Sequence, residues 1–385
     1  MNETISVGST QRANHQSASS ICGQDYLNLA PKAELHLHLE GSLEPEAILE
    51  SYHRNRINTP SLTGESLRQT FQCRNFRDFV NAFMFSARSL RTPEDFYIAV
   101  IDLGARLKEQ NVIYAEITWT PQIHQREDLD CTTILQRMNE AAEQVQQNHG
   151  PELFWIPDLI RSAPQKAAQT IAWLRTLDLS ESRIVAVGLG GPERGHPASQ
   201  LRSHFLAAQR MGLPANPHAG EQEGPASIWD TIVHLQPRRL GHGVRALEDP
   251  RLVRYLAGSG MAIEVCLSSN IILGVYDSLK QHPIKSLVQQ GVCVTLNSDD
   301  PGVFQTSLNE EYRKAHLGCG LTIPEIRQII INGFASSYLP PDRKTDYLRR
   351  VIAILDHLDT SLAKRLCVKL HRDNGSEERD IATKE

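Results

Sequence analysis

Eight short, apolar, strand-like runs alternate with amphipathic stretches along this chain, and that alternation restricts its fold more than any other feature. The runs are Glu34–Leu39, Val112–Thr118, Phe154–Ile160, Ile184–Leu189, Pro214–His218, Arg239–His242, Ala262–Leu267 and Val292–Leu296. Between them, Pro45–Arg54, Pro93–Glu109, Thr132–Gln147, Ala198–Met211, Pro225–Leu235 and Pro250–Ala257 repeat apolar residues at helical spacing, several opened by a proline or an N-cap residue. Strand and helix alternating eight times predict an α/β fold, a (β/α)8 TIM barrel with extra helices. The fifth and sixth strands are its weakest members, because Pro214 and Pro217 flank one and the other is only a few residues long.

Barrels of this kind commonly reach about 250 residues or more as one unit, so 385 residues suit a single barrel domain over 29–370. Residues 1–28, rich in Ser, Gln, Asn and Thr and without a basic start or apolar block, are expected to be a disordered tail rather than a secretory signal. Residues 371–385 are expected to form a flexible C-terminal tail. A formal charge of −5 gives no attraction to phosphate backbones or anionic membranes, so neither nucleic acid nor membrane is an expected partner. A small molecule is, and the oligomeric state is left open. Seven scattered cysteines without a C-x-x-C pair point to free thiols and a cytoplasmic location.

Alternation along Ala33–Glu40 sends His36 and His38 to one face and the leucines to the other. Two neighbouring imidazoles make half a metal site. His218 ends the fifth strand, His242 ends the sixth, and Asp299 follows the eighth, so all reach the C-terminal rim where barrel enzymes build their sites. Three histidines and a carboxylate suit zinc, which lowers the pKa of a bound water to about 7 and makes a nucleophile available at neutral pH. Asp299 can also accept a hydrogen bond from that water. His242 is placed to orient the water, take its proton and stabilise charge, unless it merely occupies a tight Gly-His-Gly turn. Glu221, three residues after His218, can hold a proton when shielded from water and deliver it to a ring nitrogen or leaving group; the alternative is a cap for the helix near Pro225. Asp300 is free to meet a heteroaromatic nitrogen, although Asp-Asp-Pro-Gly is also a common turn.

Gly188–Glu193 lacks both G-x-G-x-x-G order and the lysine of a P-loop, so its glycines either admit backbone N–H groups to a flat ligand or simply turn the chain. The fourth strand carries no lysine, which disfavours a carbamylated bridge between two metals and predicts one Zn2+ per chain. His38-Leu39-Glu40 matches half of the cytidine-deaminase signature, but the required P-C-x-x-C is missing. The aromatic stretch Phe71–Leu90 is expected to pack on the barrel wall, in preference to roofing a pocket. Thr322–Leu370 reads as helical and closes the barrel exterior.

Pro31–Ser42, His218-Ala219-Gly220-Glu221, Gly241-His242-Gly243 and Asn297–Pro301 together resemble the adenosine and adenine deaminase family of amidohydrolase barrels, over about Leu29 to Ala335. The resemblance implies His36, His38, His218 and Asp299 as zinc ligands, Glu221 as proton donor to purine N1, and His242 as the residue activating water. It further implies Gly191 as a backbone contact to N3, Asp300 as partner of N7, and His38 and Glu40 among the substrate-facing residues. The implied reaction is hydrolytic deamination of a 6-aminopurine, adenosine first, with adenine and aminodeoxyfutalosine as alternatives. Glu40 stands where animal-type adenosine deaminases carry an Asp associated with the sugar, which leaves the N9 substituent open. Two other classes compete: a catalytically silent purine-binding protein, and a zinc hydrolase of amides or lactones.

Overall fold

The computed structural model of the protein describes residues 25–57, 62–124 and 129–382, with side chains described as far as Ser361. Eight strands run in sequence order around one sheet: β1 (Lys32–His38), β2 (Val112–Trp119), β3 (Glu152–Ile160), β4 (Val187–Gly190), β5 (Ala215–Ala219), β6 (Arg239–His242), β7 (Ala262–Val265) and β8 (Val294–Leu296). Every neighbouring pair is parallel. Closure comes just past β8, where Leu37 bridges to Asp299: the Asp299 N–H donates to His36 O at 3.1 Å, and the His38 N–H donates to Asp299 O at 2.8 Å. The bonds that shut the barrel therefore fix the backbone of three candidate site residues.

Each expected strand is present within a few residues. Ile184 makes only an isolated bridge to Trp155, and β4 starts at Val187. The seventh strand stops at Val265 because Leu267 begins a short helix, Leu267–Ile272. Helices Pro45–Arg54, Pro93–Glu109 and Pro225–Leu235 have the expected limits, each with proline in its first turn, where a missing N–H costs nothing. Thr92 and Asp95 add a reciprocal capping box to the second of these. Ala198–Met211 is not one helix: a 3-10 turn over Ala198–Leu201 leads into Arg202–Arg210.

Parts of both expected tails fall within the described residues. Residues 25–29 are helical, with Tyr26 and Leu27 fully buried in the core, so the ordered body begins before residue 29. The rest of the expected N-terminal tail, residues 1–24, lies outside the described residues. At the other end one helix runs Pro341–Ala382, through most of the segment expected to be flexible; no proline follows Pro341 to break it.

β1 is buried along its whole length. Its alternation puts Ala33, Leu35 and Leu37 among the covering helices and Lys32, Glu34, His36 and His38 on the barrel axis. The barrel interior is thus charged from floor to rim. Among the described residues no helix is long and apolar enough to cross a membrane, and Cys73, Cys131, Cys266, Cys293 and Cys319 are free thiols.

Candidate active site

The C-terminal rim draws His36, His38, His218 and Asp299 into one cluster, their potential ligand atoms all within 4.8 Å of one another. Asp299 Oδ1 lies 3.3 Å from His36 Nε2 and 3.4 Å from His38 Nε2, and the Nε2 atoms of His38 and His218 are 3.2 Å apart. Asp299 holds φ +66°, a left-handed conformation that is uncommon outside glycine and is maintained here by the closure bonds.

The other ring nitrogens are engaged elsewhere. His36 Nδ1 meets Glu264 Oε2 at 2.8 Å, and His218 Nδ1 donates to Leu189 O at 2.7 Å. These partners leave both Nε2 atoms facing the cluster, as metal-binding imidazoles require. Gly241 gives the His36 ring its room: a Cβ there would lie 2.7 Å from His36 Cε1.

Three nitrogens and one carboxylate form a donor set suited to zinc. The site also attracts positive charge. Burial opposes a proton on His36, yet Asp299 and Glu264 outweigh it and push the imidazole up to about 10. Among the described residues His36 Nε2 is buried without a hydrogen-bond partner, and a cation at the cluster would take up its lone pair.

Beneath the cluster lies an ionic network that the sequence reading missed. Arg239, 1% exposed, bonds Glu264 Oε1 and Glu116 Oε2 at 2.5 Å each. Its guanidinium packs 3.9 Å from the Tyr338 ring centroid. Glu116 also accepts the Tyr114 hydroxyl and the Tyr338 N–H, both at 2.6 Å. Burial works against ionised Glu264, but Arg239 and His36 hold its carboxyl below the usual glutamate value.

Glu221 and His242 stand together beside the cluster, with Glu221 Oε1 3.8 Å from His242 Nε2. Burial pushes the Glu221 carboxyl up to about 8, and the charges of Asp299 and Glu193 add to the effect. Its loop is held by Glu193, which accepts the backbone N–H groups of Gly220, Glu221, Gln222 and Glu223 at 2.7–3.1 Å and the Ser227 hydroxyl at 2.6 Å. Glu193 was visible in the sequence only as the end of a glycine-rich loop.

A relay sets the tautomer of His242. The Ile284 N–H donates to His282 Nδ1 at 3.2 Å, which places the His282 proton on Nε2, 3.1 Å from Asn270 Oδ1. Asn270 then turns its amide nitrogen to His242 Nδ1 at 3.4 Å, so neutral His242 carries its hydrogen on Nε2, facing Glu221 and Asp299.

Over these groups lies a cavity of about 250 Å³, lined by His38, His218, Glu221, His242, Asp299 and Asp300, with Gly191 and Asp158 on its wall. Gly191 takes φ +89°. Asp300 Oδ1 is buried without a partner among the described residues, and burial raises its pKa well above the ordinary value. The helix Phe76–Ala87 supplies Phe76, Phe79, Val80, Phe83 and Met84 to the same cavity. This overturns the expectation of a wall-packed helix: its aromatic face covers the open rim, and Phe79 stacks on Phe304 with centroids 5.1 Å apart. Glu40 also departs from its implied role. It does not line the cavity; Oε1 accepts the Thr120 N–H at 2.7 Å and meets His124 Nε2 at 3.0 Å, tying the end of β1 to the chain after β2.

Comparison with known proteins adds to this geometry. An adenine deaminase of Bordetella parapertussis is 38% identical over 311 residues, 80% of this chain and 96% of that protein. An aminodeoxyfutalosine deaminase of Streptomyces coelicolor is 34% identical over 334 residues, 86% of this chain and 84% of that protein. The crystal structure of an adenine deaminase from Arthrobacter aurescens superposes with a TM-score of 0.81 at 27% identity, covering 85% of this chain and 99% of that one. The family model described as adenosine deaminase matches residues 31–354, and the chain belongs to that family.

Proposed function

We propose that this protein is a zinc-dependent aminohydrolase that converts adenine and water to hypoxanthine and ammonia, with one ion per chain and, given its free thiols, a place in the cytoplasm. The observation that carries the reading is the four-residue cluster at the base of a cavity that also holds Glu221 and His242. A silent binder has no need of a shielded proton donor beside such a cluster. Adenosine ranks first from the sequence, but the names of the relatives favour the free base. The cavity agrees: about 250 Å³ is below the roughly 300–1,000 Å³ typical of drug-sized ligands.

His36, His38, His218 and Asp299 would hold the zinc, which when bound supplies a nucleophilic water near neutral pH. Asp299 accepts a proton from the attacking water. His242, with its hydrogen on Nε2, orients that water and stabilises the charge developing on its oxygen; Asn270 occupies the nitrogen that would otherwise take a proton. This differs from the general-base role expected from sequence. Glu221 gives its proton to N1 as the C6–O bond forms. It regains one from the C6 hydroxyl as the C6–N6 bond breaks, while the proton held by Asp299 leaves with the amine. Asp300, neutral through burial, donates to N7, and the Gly191 N–H meets N3.

Ammonia release from adenine, adenosine, aminodeoxyfutalosine and a simple lactam by zinc-loaded protein tests this reading. Turnover is expected to be fastest on adenine, and absence of turnover on every purine would remove the proposal. The pH dependence is also set. Only protonated Glu221 can donate, so this group sets the alkaline limb, along which kcat/KM falls as pH rises through its pKa. A bound cation favours the carboxylate, so the alkaline limb should lie at or below about 8. A kcat/KM for adenine still rising at pH 9 would show that another group is the acid.

A further inference from the structure

One buried carboxyl in the cavity has no place in the chemistry above. Asp158 lies on β3, is 3% exposed and lines the cavity. Among the described residues its Oδ1 has no hydrogen-bond partner. The adjacent strand is shaped around it. Asp158 pairs in register with Gly188, and a Cβ there would stand 2.0 Å from Asp158 Oδ1; one at Gly190 would stand 2.4 Å from Oδ2. The carboxyl therefore fills the space that two β4 side chains would occupy, along the stretch of β4 that leads directly into Gly191.

A buried carboxyl without a partner weakens a fold. A ligand that brings an N–H to it would remove that cost. The purine geometry specifies which N–H. With C6 and N1 turned to the cluster and Glu221, and N7 to Asp300, the N3–C4–N9 edge faces the wall that carries Gly191 and, beside it, Asp158. On a free 6-aminopurine base N9 bears a hydrogen; on an N9-substituted purine it bears carbon and donates nothing. We infer that Asp158 accepts the N9 hydrogen of the bound base and thereby selects free bases over N9-substituted purines. This rests on the deaminase reading above and deepens it by naming the residue that sets the substrate class. Burial pushes the Asp158 carboxyl up to about 7 and the charge of Glu40 adds to this, while those of His38, His36 and Arg161 favour the anion; either form keeps an oxygen that can accept an N–H.

The test compares adenine with 9-methyladenine for the wild-type enzyme, Asp158→Ala and Asp158→Asn, all zinc-loaded, by ammonia release. Calorimetric binding of hypoxanthine and 9-methylhypoxanthine to the same proteins is measured in parallel. The wild type should prefer adenine by about 100-fold or more in kcat/KM. Asp158→Ala should lose about 100-fold on adenine and less than about 5-fold on 9-methyladenine, so that the preference collapses. Asp158→Asn, whose amide oxygen still accepts one N–H, should fall between, and it carries the comparison if the alanine variant does not fold. The Tm of either variant should equal or exceed that of the wild type, because a buried carboxyl with an unpartnered oxygen has been removed. Equal losses on both substrates with a lowered Tm, or a wild type without preference, would overturn the inference. If the wild type releases no ammonia from any purine, the deaminase reading fails instead. The binding arm still decides Asp158: selective loss of hypoxanthine binding upholds its role, and unchanged binding overturns it.

Discussion

Glu221→Gln should lower kcat for adenine by about 10³-fold, within the range attributed to a positioned proton donor. Glutamine keeps the shape of the side chain but has no acidic proton to give to N1. The effect should be confined to chemistry. Glu193 holds the loop through backbone N–H groups that the substitution leaves in place, and Glu221 is outside the four-residue cluster. Zinc content by elemental analysis and hypoxanthine affinity by calorimetry should therefore stay near wild type. A variant that retains kcat would move the acid to another group, Asp300 being the next buried carboxyl in the cavity.

The second large effect falls on stability. Arg239→Met should destabilise the protein by about 3–5 kcal/mol in urea denaturation, because it strands Glu116 and Glu264, two fully buried carboxylates. The loss should extend to the site. Glu264 orients His36 through Nδ1, and loosening such an outer contact weakens metal binding by about 10–100-fold. Competition with a chelator would measure that change. Arg239→Lys restores charge but not the two-pronged bonding, so it should recover only part of either loss. Unchanged urea stability in Arg239→Met would show that the network contributes little.

What could be read in the sequence follows from how locally each feature is encoded. The His36 and His38 face depends on alternation within one strand, and the helix starts at Pro45, Pro93 and Pro225 depend on the first helical turn; both are local rules. The partners Glu264, Arg239 and Glu116 come from three separate strands, and nothing in their own segments distinguishes a buried ion network from a solvated face. Asp158 and Gly188 likewise meet only through register between β3 and β4. The Asn270–His282 relay is just as non-local in its effect, because its meaning appears only when His242 is seen beside it. The Phe76–Ala87 helix misled for a different reason. Aromatic residues at helical spacing signal burial, but burial against a barrel wall and burial over a cavity leave the same pattern in sequence. Glu40 adds a further lesson: a motif fixes where a residue sits on the chain, while the hydrogen bonds offered by Thr120 and His124 decide where its carboxylate turns.

The central claim is that a single metal ion, held by four side chains from three strand ends, enables water to displace the purine amine. Stripping the protein with a chelator and titrating zinc back while following ammonia release from adenine tests this most directly. Activity should vanish on stripping and return in proportion to added zinc, reaching its plateau at one equivalent per chain. Deamination that survives complete removal of metal, or a plateau at two equivalents, would contradict it.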